Sequence, residues 1–199
     1  MKAVVKQVLH YLCVVLVSPL LAVYWLSSLA FGKDRALEGA SQTLAIMPGM
    51  PGVYMRRAFL SCTLARCAAN AEVHFGTLFS QAGARLDENV YVGPNCHIGL
   101  VHVRKNVLIA AGVHIPSGGQ THHFADPETP IKDQGGERTL VTIGEGAWIG
   151  SGAIVLADVG AGSIIAAGSV VTKPIPENVI AAGVPARVIR GRFEKDLAR

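Results

Sequence analysis

A mainly β fold is what this sequence predicts: a solenoid of short stacked coils, preceded by an apolar helical segment. Three observations carry it. A large aliphatic residue returns every six positions, most cleanly at Leu86, Val92 and Ile98 and again at Ile143, Ile149 and Val155. That step fits neither helical nor strand periodicity, but it fits a coil in which each short side is one hexapeptide. Four residues after each aliphatic stands a small or apolar residue (Val90, Cys96, Val107, Val113, Ala147, Ala153, Ser163, Ser169), and glycine often follows the aliphatic directly, as at Gly93, Gly99, Gly144 and Gly150. The aliphatic then fills the coil interior, the small residue fits a corner, and glycine stands where a Cβ would obstruct the backbone. Third, 22 glycines with only 6% aromatics suit an interior stacked from small and branched side chains.

The N-terminal segment comes first in the chain. Val8 to Phe31 is an apolar run of 24 positions, interrupted by His10, Ser18, Pro19, Ser27 and Ser28 and long enough for a membrane helix. A cleaved signal peptide stays an alternative, with a basic start from Met1 to Lys6 and a small-residue exit at Ser28-Leu29-Ala30, although its apolar core is longer than is usual for one. A spanning helix would put the following domain on the cytoplasmic side, because the heavier basic flank follows Phe31. An in-plane or re-entrant anchor would break at Pro19. An anchor is the expected form, with spanning and re-entrant versions both open.

Residues 33–69 read as a connector. Met47-Pro48-Gly49-Met50-Pro51-Gly52 is a double turn signal, and Met55 to Leu64 then resumes an apolar pattern carrying Arg56 and Arg57. This element is expected to cover the open first coil, with the two arginines also facing lipid phosphates. Val73 and Phe79 are the first inward residues, before Leu86 sets the register. The step drops to five between Ile98 and Val103, resumes through Ile109 and Ile115, and is rephased after Val155 at Val159, Ile165 and Val171. The expected division is residues 1–69 for anchor and connector, 70–192 for the solenoid, and 193–199 for a basic tail.

Charge and cysteine usage narrow the function classes. The formal charge is +4, and the first 66 residues hold seven Lys/Arg against Asp34 and Glu38. Basic charge beside an apolar segment points to a membrane surface, and no aromatic-interleaved basic motif argues for nucleic acid. Cys13, Cys62, Cys67 and Cys96 lack metal-ligand spacing and read as reduced structural thiols.

The rhythm stops after Ile115-Pro116 and restarts at Ile143, so residues 116–142 form a loop of a length that is usually functional. It carries Ser117-Gly118-Gly119-Gln120-Thr121-His122-His123-Phe124-Ala125-Asp126-Pro127. A histidine on a loop leaving a rigid solenoid is well suited to act as a base near neutral pH; bonding to loop carbonyls is the alternative role.

The hexads, this histidine loop, the run Ala147-Trp148-Ile149-Gly150-Ser151-Gly152-Ala153, and the endings Val171-Thr172-Lys173-Pro174 and Ala182-Gly183-Val184-Pro185-Ala186-Arg187-Val188-Ile189 resemble the hexapeptide-repeat acyltransferases. Within them the chain is most similar to the maltose, serine and colanic-acid O-acetyltransferase branch. The resemblance implies a left-handed parallel β-helix, a homotrimer with a site at each subunit boundary, acetyl-CoA as co-substrate without a metal, and a sugar or lipid-linked saccharide acceptor, as in polysaccharide biosynthesis. It makes one loop histidine the general base. Spacing from Ile115-Pro116-Ser117-Gly118 selects His122, and spacing back from Asp126-Pro127 selects His123.

For the donor, the resemblance and the pattern of small residues together point to Gly150, Ser151, Gly152, Ala166, Ala167 and Gly168 as a groove for pantetheine. Lys173, Arg187, Arg190 and Arg192 are candidates for the CoA phosphates. Trp148 is expected at the subunit or cofactor boundary, with core filling as the alternative. A backbone N–H between Ile149 and Gly152 of a neighbouring subunit would hold the oxyanion. Phe79-Ser80-Gln81 occupies the acceptor-side region. Two other functions stay open: a zinc hydrolyase resembling carbonic anhydrase, using His97 and His102 with His74, His114 or His122, and a non-catalytic membrane scaffold.

Overall fold

A computed structural model of the chain describes residues 2–194, with side chains described from Val8 onward. Met1 and residues 195–199, and with them most of the expected basic tail, lie outside the described residues.

The hexads fold as the spacing dictates. Residues 66–183 wind through three parallel faces. The first face stacks Arg66–Cys67, Arg85–Leu86, Val101–Val103 and Val141–Ile143, and Val159 and Ile175 extend it by single bridges. The second begins at Glu72–Val73 and ends at Val179–Gly183, which turns back on Ala186–Gly191 as an antiparallel hairpin. The third runs from Leu78–Phe79 through His97–Ile98, His114–Ile115 and Ile154–Val155 to Val170–Val171. The result is a parallel β-helix.

Every aliphatic of the expected inward series, from Val73 and Phe79 through the rephased Val159, Ile165 and Val171, is buried, as are the eight corner residues. Cys96, at one corner, lies 3.1 Å from the Ala110 carbonyl, and burial pushes its thiol pKa up. The glycines that follow the aliphatics are needed for close approach. A Cβ on Gly150 would stand 2.5 Å from the backbone nitrogen of Ala167 in the next coil.

Three helices precede the coils. α1 (Lys2–Phe31) runs unbroken through Pro19, so the expected break is absent. Proline removes one N–H from the ladder and orphans the carbonyl four residues back. Here that carbonyl belongs to Val15, and the Ser18 hydroxyl donates to it at 2.8 Å. The helix ends at Gly32, whose φ of +84° favours glycine. α2 (Lys33–Ala45) and α3 (Gly49–Thr63) occupy the stretch expected to be a connector with one helix. Pro51 and Gly52 lie inside the first turn of α3, where a missing N–H costs nothing because the first N–H groups of a helix have no intrahelical partner.

α2 and α3 close the first coil, as expected of the second element. Leu37, Leu44, Phe59 and Leu60 belong to one apolar cluster with Val73 and Phe79. Arg56 corrects the lipid-facing expectation. It is 2% exposed and donates from Nε to the Val73 carbonyl and from Nη1 to the Leu44 and Met47 carbonyls. Arg57 is buried too, stacked over Tyr54 at 4.7 Å. Arg56 joins the helices to the coils, and neither arginine faces outward.

α1 buries only a narrow stripe, Cys13, Val17 and Tyr24, against the other helices. Tyr11, Leu12, Val15, Leu16, Val23 and Leu26 are exposed. The stretch Val8–Phe31 has a mean hydropathy of 2.1 and is long and apolar enough to cross a membrane.

Candidate active site

The loop of residues 116–140 leaves the corner between the third and first faces. Its root is fixed by Ser117, which is buried and accepts the Leu100 N–H on Oγ at 2.7 Å. The two arms then pair across the loop: Thr139 N–H to Ser117 O at 2.8 Å, Glu137 N–H to Gln120 O at 2.8 Å, and His123 N–H to Gly135 O at 3.0 Å. At the tip, Asp126 accepts the Glu128 N–H and the Thr129 hydroxyl, and Gln134 donates to the carbonyls of Asp126 and Thr129. These bonds hold the carboxyl pKa of Asp126 below its ordinary value, chiefly through the Thr129 hydroxyl.

This ordered loop separates its two histidines. His122 lines an open cleft of ≈ 620 Å³ against the third face, and His123 is not among its lining residues. Leu78, His97 and His114 form the floor, outward residues in register on successive coils. The two histidine rings stack, with centroids 4.9 Å apart and planes 3° from parallel. Ser80 and Gln81, on the acceptor-side stretch, also line the cleft. The opposite wall is α2, through Asp34, Arg35, Glu38 and Gln42.

α2 is held there by separate contacts. Asp34 accepts the Ala82 N–H at 2.9 Å, the Ser41 hydroxyl meets the backbone of Phe79, and the Ala45 carbonyl accepts the Gly76 N–H. The α2 wall and the His97–His114 pair are what sequence reasoning missed. A signal for the pair existed: Ile98 and Ile115 are one coil apart, so the residues just before them must stack on the outer face.

The expected donor residues divide between positions. Gly150, Ser151 and Gly152 turn the corner from second to third face, and Ala166, Ala167 and Gly168 turn the same corner one coil later, joined by the Gly168 N–H to Ser151 O bond. A Cβ on Gly152 or Gly168 would meet nothing within 4 Å, so the column is open on its outer side. It lies across the third face from the His122 corner. Trp148 points outward and is 49% exposed, which rules out core filling. Lys173 stands exposed at a different corner. Arg187 and Arg190 belong to the terminal hairpin, where Arg190 donates to the Glu194 carbonyl, and Arg192 donates to the Gly162 carbonyl. No described contact brings Lys173 and these arginines together. Of the zinc donor set, His97, His114 and His122 share the cleft, while His102 lies on the first face, 3.1 Å from Asp87.

Comparison with known proteins bears on what such an arrangement is for. The family model described as hexapeptide repeat of succinyl-transferase matches residues 84–116 and 140–173, on either side of the loop. Galactoside O-acetyltransferase of Escherichia coli is 34% identical over 60% of this chain and 70% of its own length. The chain belongs to the hexapeptide-repeat acetyltransferases. A putative acetyltransferase of Saccharomyces cerevisiae is 42% identical over 54% of this chain, which spans 59% of that relative. Among solved structures, a galactoside acetyltransferase in complex with coenzyme A superposes with a TM-score of 0.66 at 29% identity, covering 82% of this chain and 88% of its own. In this acetyltransferase the N–H groups of Gly150, Gly152, Ala166 and Gly168 all donate to carbonyls of other coils, so the column is held rigidly while its outer side stays open.

Proposed function

We propose that this protein transfers an acetyl group from acetyl-CoA to a hydroxyl of a saccharide, with His122 as general base. The observation that carries the reading is the His122 cleft, which presents an imidazole opposite stacked histidines and a charged helix wall. His122 takes the proton of the acceptor hydroxyl as its oxygen attacks the thioester carbonyl. The new C–O bond forms a tetrahedral oxyanion, for which a backbone N–H in the Ile149–Gly152 stretch of a neighbouring subunit is the donor; Ser151 is the candidate, since the N–H groups of Gly150 and Gly152 already donate within the coils. Collapse breaks the C–S bond, and the CoA thiolate takes the proton from His122. His97, His114, Arg35 and Glu38 supply donors and acceptors for sugar hydroxyls.

The donor column and the His122 cleft lie at opposite edges of the third face, so joining them takes two subunits. That supports the homotrimer, as do the half-exposed Trp148 and Leu108, paired in register on the second face. The exposed apolar surface of α1 supports attachment to a membrane, with the β-helix on its cytoplasmic side and polysaccharide biosynthesis as the setting.

Turnover of acetyl-CoA with a panel of sugars tests the base. His122→Ala should lower kcat by about 10²–10⁴, the range for a lost general base, while His123→Ala stays within a few-fold of the parent. Loss confined to His123→Ala, or no loss in either variant, overturns the assignment. Light scattering of the purified protein should give three copies per particle.

A further inference from the structure

A second cavity, of ≈ 570 Å³, lies between α1 and α2. From α1 it is lined by Leu20, Val23, Tyr24, Ser27 and Phe31, a helical face that spans about 16 Å. Arg35 and Glu38 of α2 wall both this groove and the His122 cleft, so the two are neighbours across a single ridge.

One feature of the groove calls for an occupant. Gly39 lies in the interior of α2 and lines the groove, yet its φ is ordinary and a Cβ there would meet nothing within 4 Å. Glycine inside a helix is unfavourable, and neither conformation nor packing within the chain requires it here. What it does is leave the groove wall open. Tyr24, in the same wall, is fully buried and packs edge-on against Phe59 at 5.8 Å, so it forms the rigid back of the groove.

We infer that the groove holds the hydrocarbon chain of the acetyl acceptor, whose saccharide head lies in the His122 cleft. The inference rests on the proposed function and names its substrate class: an amphiphilic, lipid-linked saccharide. Apolar Leu20, Val23 and Phe31 contact the chain. The ridge of Arg35 and Glu38 is crossed by the polar linker. Bulk bilayer lipid would lie along residues of α1 such as Leu12, Val15 and Leu16, which are exposed but are not among those lining the groove.

Methyl and octyl β-galactoside serve as acceptors for the full chain in phosphatidylcholine nanodiscs, with an octyl galactoside carrying a terminal diazirine as photolabel. A buried methylene is worth up to about fourfold in affinity, so kcat/KM for the octyl compound should exceed that for the methyl compound at least about tenfold. In Gly39→Leu, which fills the groove without a clash, that ratio should fall to within about threefold. The label should react with Val23, Ser27 and Thr43 and be displaced by octyl but not methyl galactoside. A wild-type ratio near one, a ratio unmoved by Gly39→Leu, or labelling spread over Leu12, Val15 and Leu16 without displacement overturns the inference. Acetyl transfer to neither galactoside counts against the proposed function instead, and the labelling pattern still decides the groove.

Discussion

The two walls of the His122 cleft are fixed in different ways. The third face is held by repetition: each coil pairs with the next through the same parallel backbone bonds, so every outward residue inherits its place from its neighbours. α2 is held by single contacts, the Asp34 carboxylate on Ala82, the Ser41 hydroxyl on Phe79, and the Arg56 guanidinium beneath its C-terminal end. A wall built by repetition can change its outward side chains freely as long as its glycines remain. A wall built from single contacts depends on each of them.

That contrast can be broken at its largest effect first. Arg56→Met leaves three carbonyls without their donor, and at ~1 kcal/mol for each lost bond it should cost about 3 kcal/mol in denaturant unfolding. A cost near zero would mean that α2 and α3 do not depend on this guanidinium. Gly150→Ala forces its Cβ against the next coil's backbone, and a cost of about 2 kcal/mol is expected from the same unfolding measurement.

Asp34→Ala removes one hydrogen bond at the cleft wall and should cost about 1 kcal/mol. In a steady-state assay it should raise the KM for the saccharide several-fold while leaving the KM for acetyl-CoA in place. An equal shift in both would mean that the helix wall is not specific to the acceptor. Smallest and of opposite sign, Gly39→Ala should raise stability by up to about 1 kcal/mol in a thermal melt, because this glycine is required neither by its φ nor by its neighbours.

Much of the fold was legible in the residues. The inward series, its five-residue step at Val103 and its rephasing at Val159 all follow from spacing, and the loop was marked by the silence of the repeat. α2 was not legible, because its buried stripe is made of small residues, Ala36, Ala40, Ser41 and Ala45, with only Leu37 and Leu44 to give it amphipathic contrast. Arg56 was misread for a related reason: a charge in an apolar helix is usually placed at a surface, and nothing local shows that three carbonyls lie within its reach. The histidines divided in the same way. The pair His122 and His123 was legible from its loop, but not which of the two lines the cleft, and the stacking of His97 on His114 follows only when coil length is taken as a spatial step.

By itself, the sequence determined the β-helix, the apolar helix before it and the place where the repeat opens, because each depends on short-range periodicity that every coil restates. Only the tertiary structure decided which histidine lines a cleft, which arginine is buried, and that α2 shares its Arg35 and Glu38 ridge between an apolar groove and that cleft. These join residues 34–42 to residues 78–122, and such contacts depend on how the helical cap docks against the coils. No period in the chain encodes that docking. It is set by a few hydrogen bonds between residues far apart in sequence.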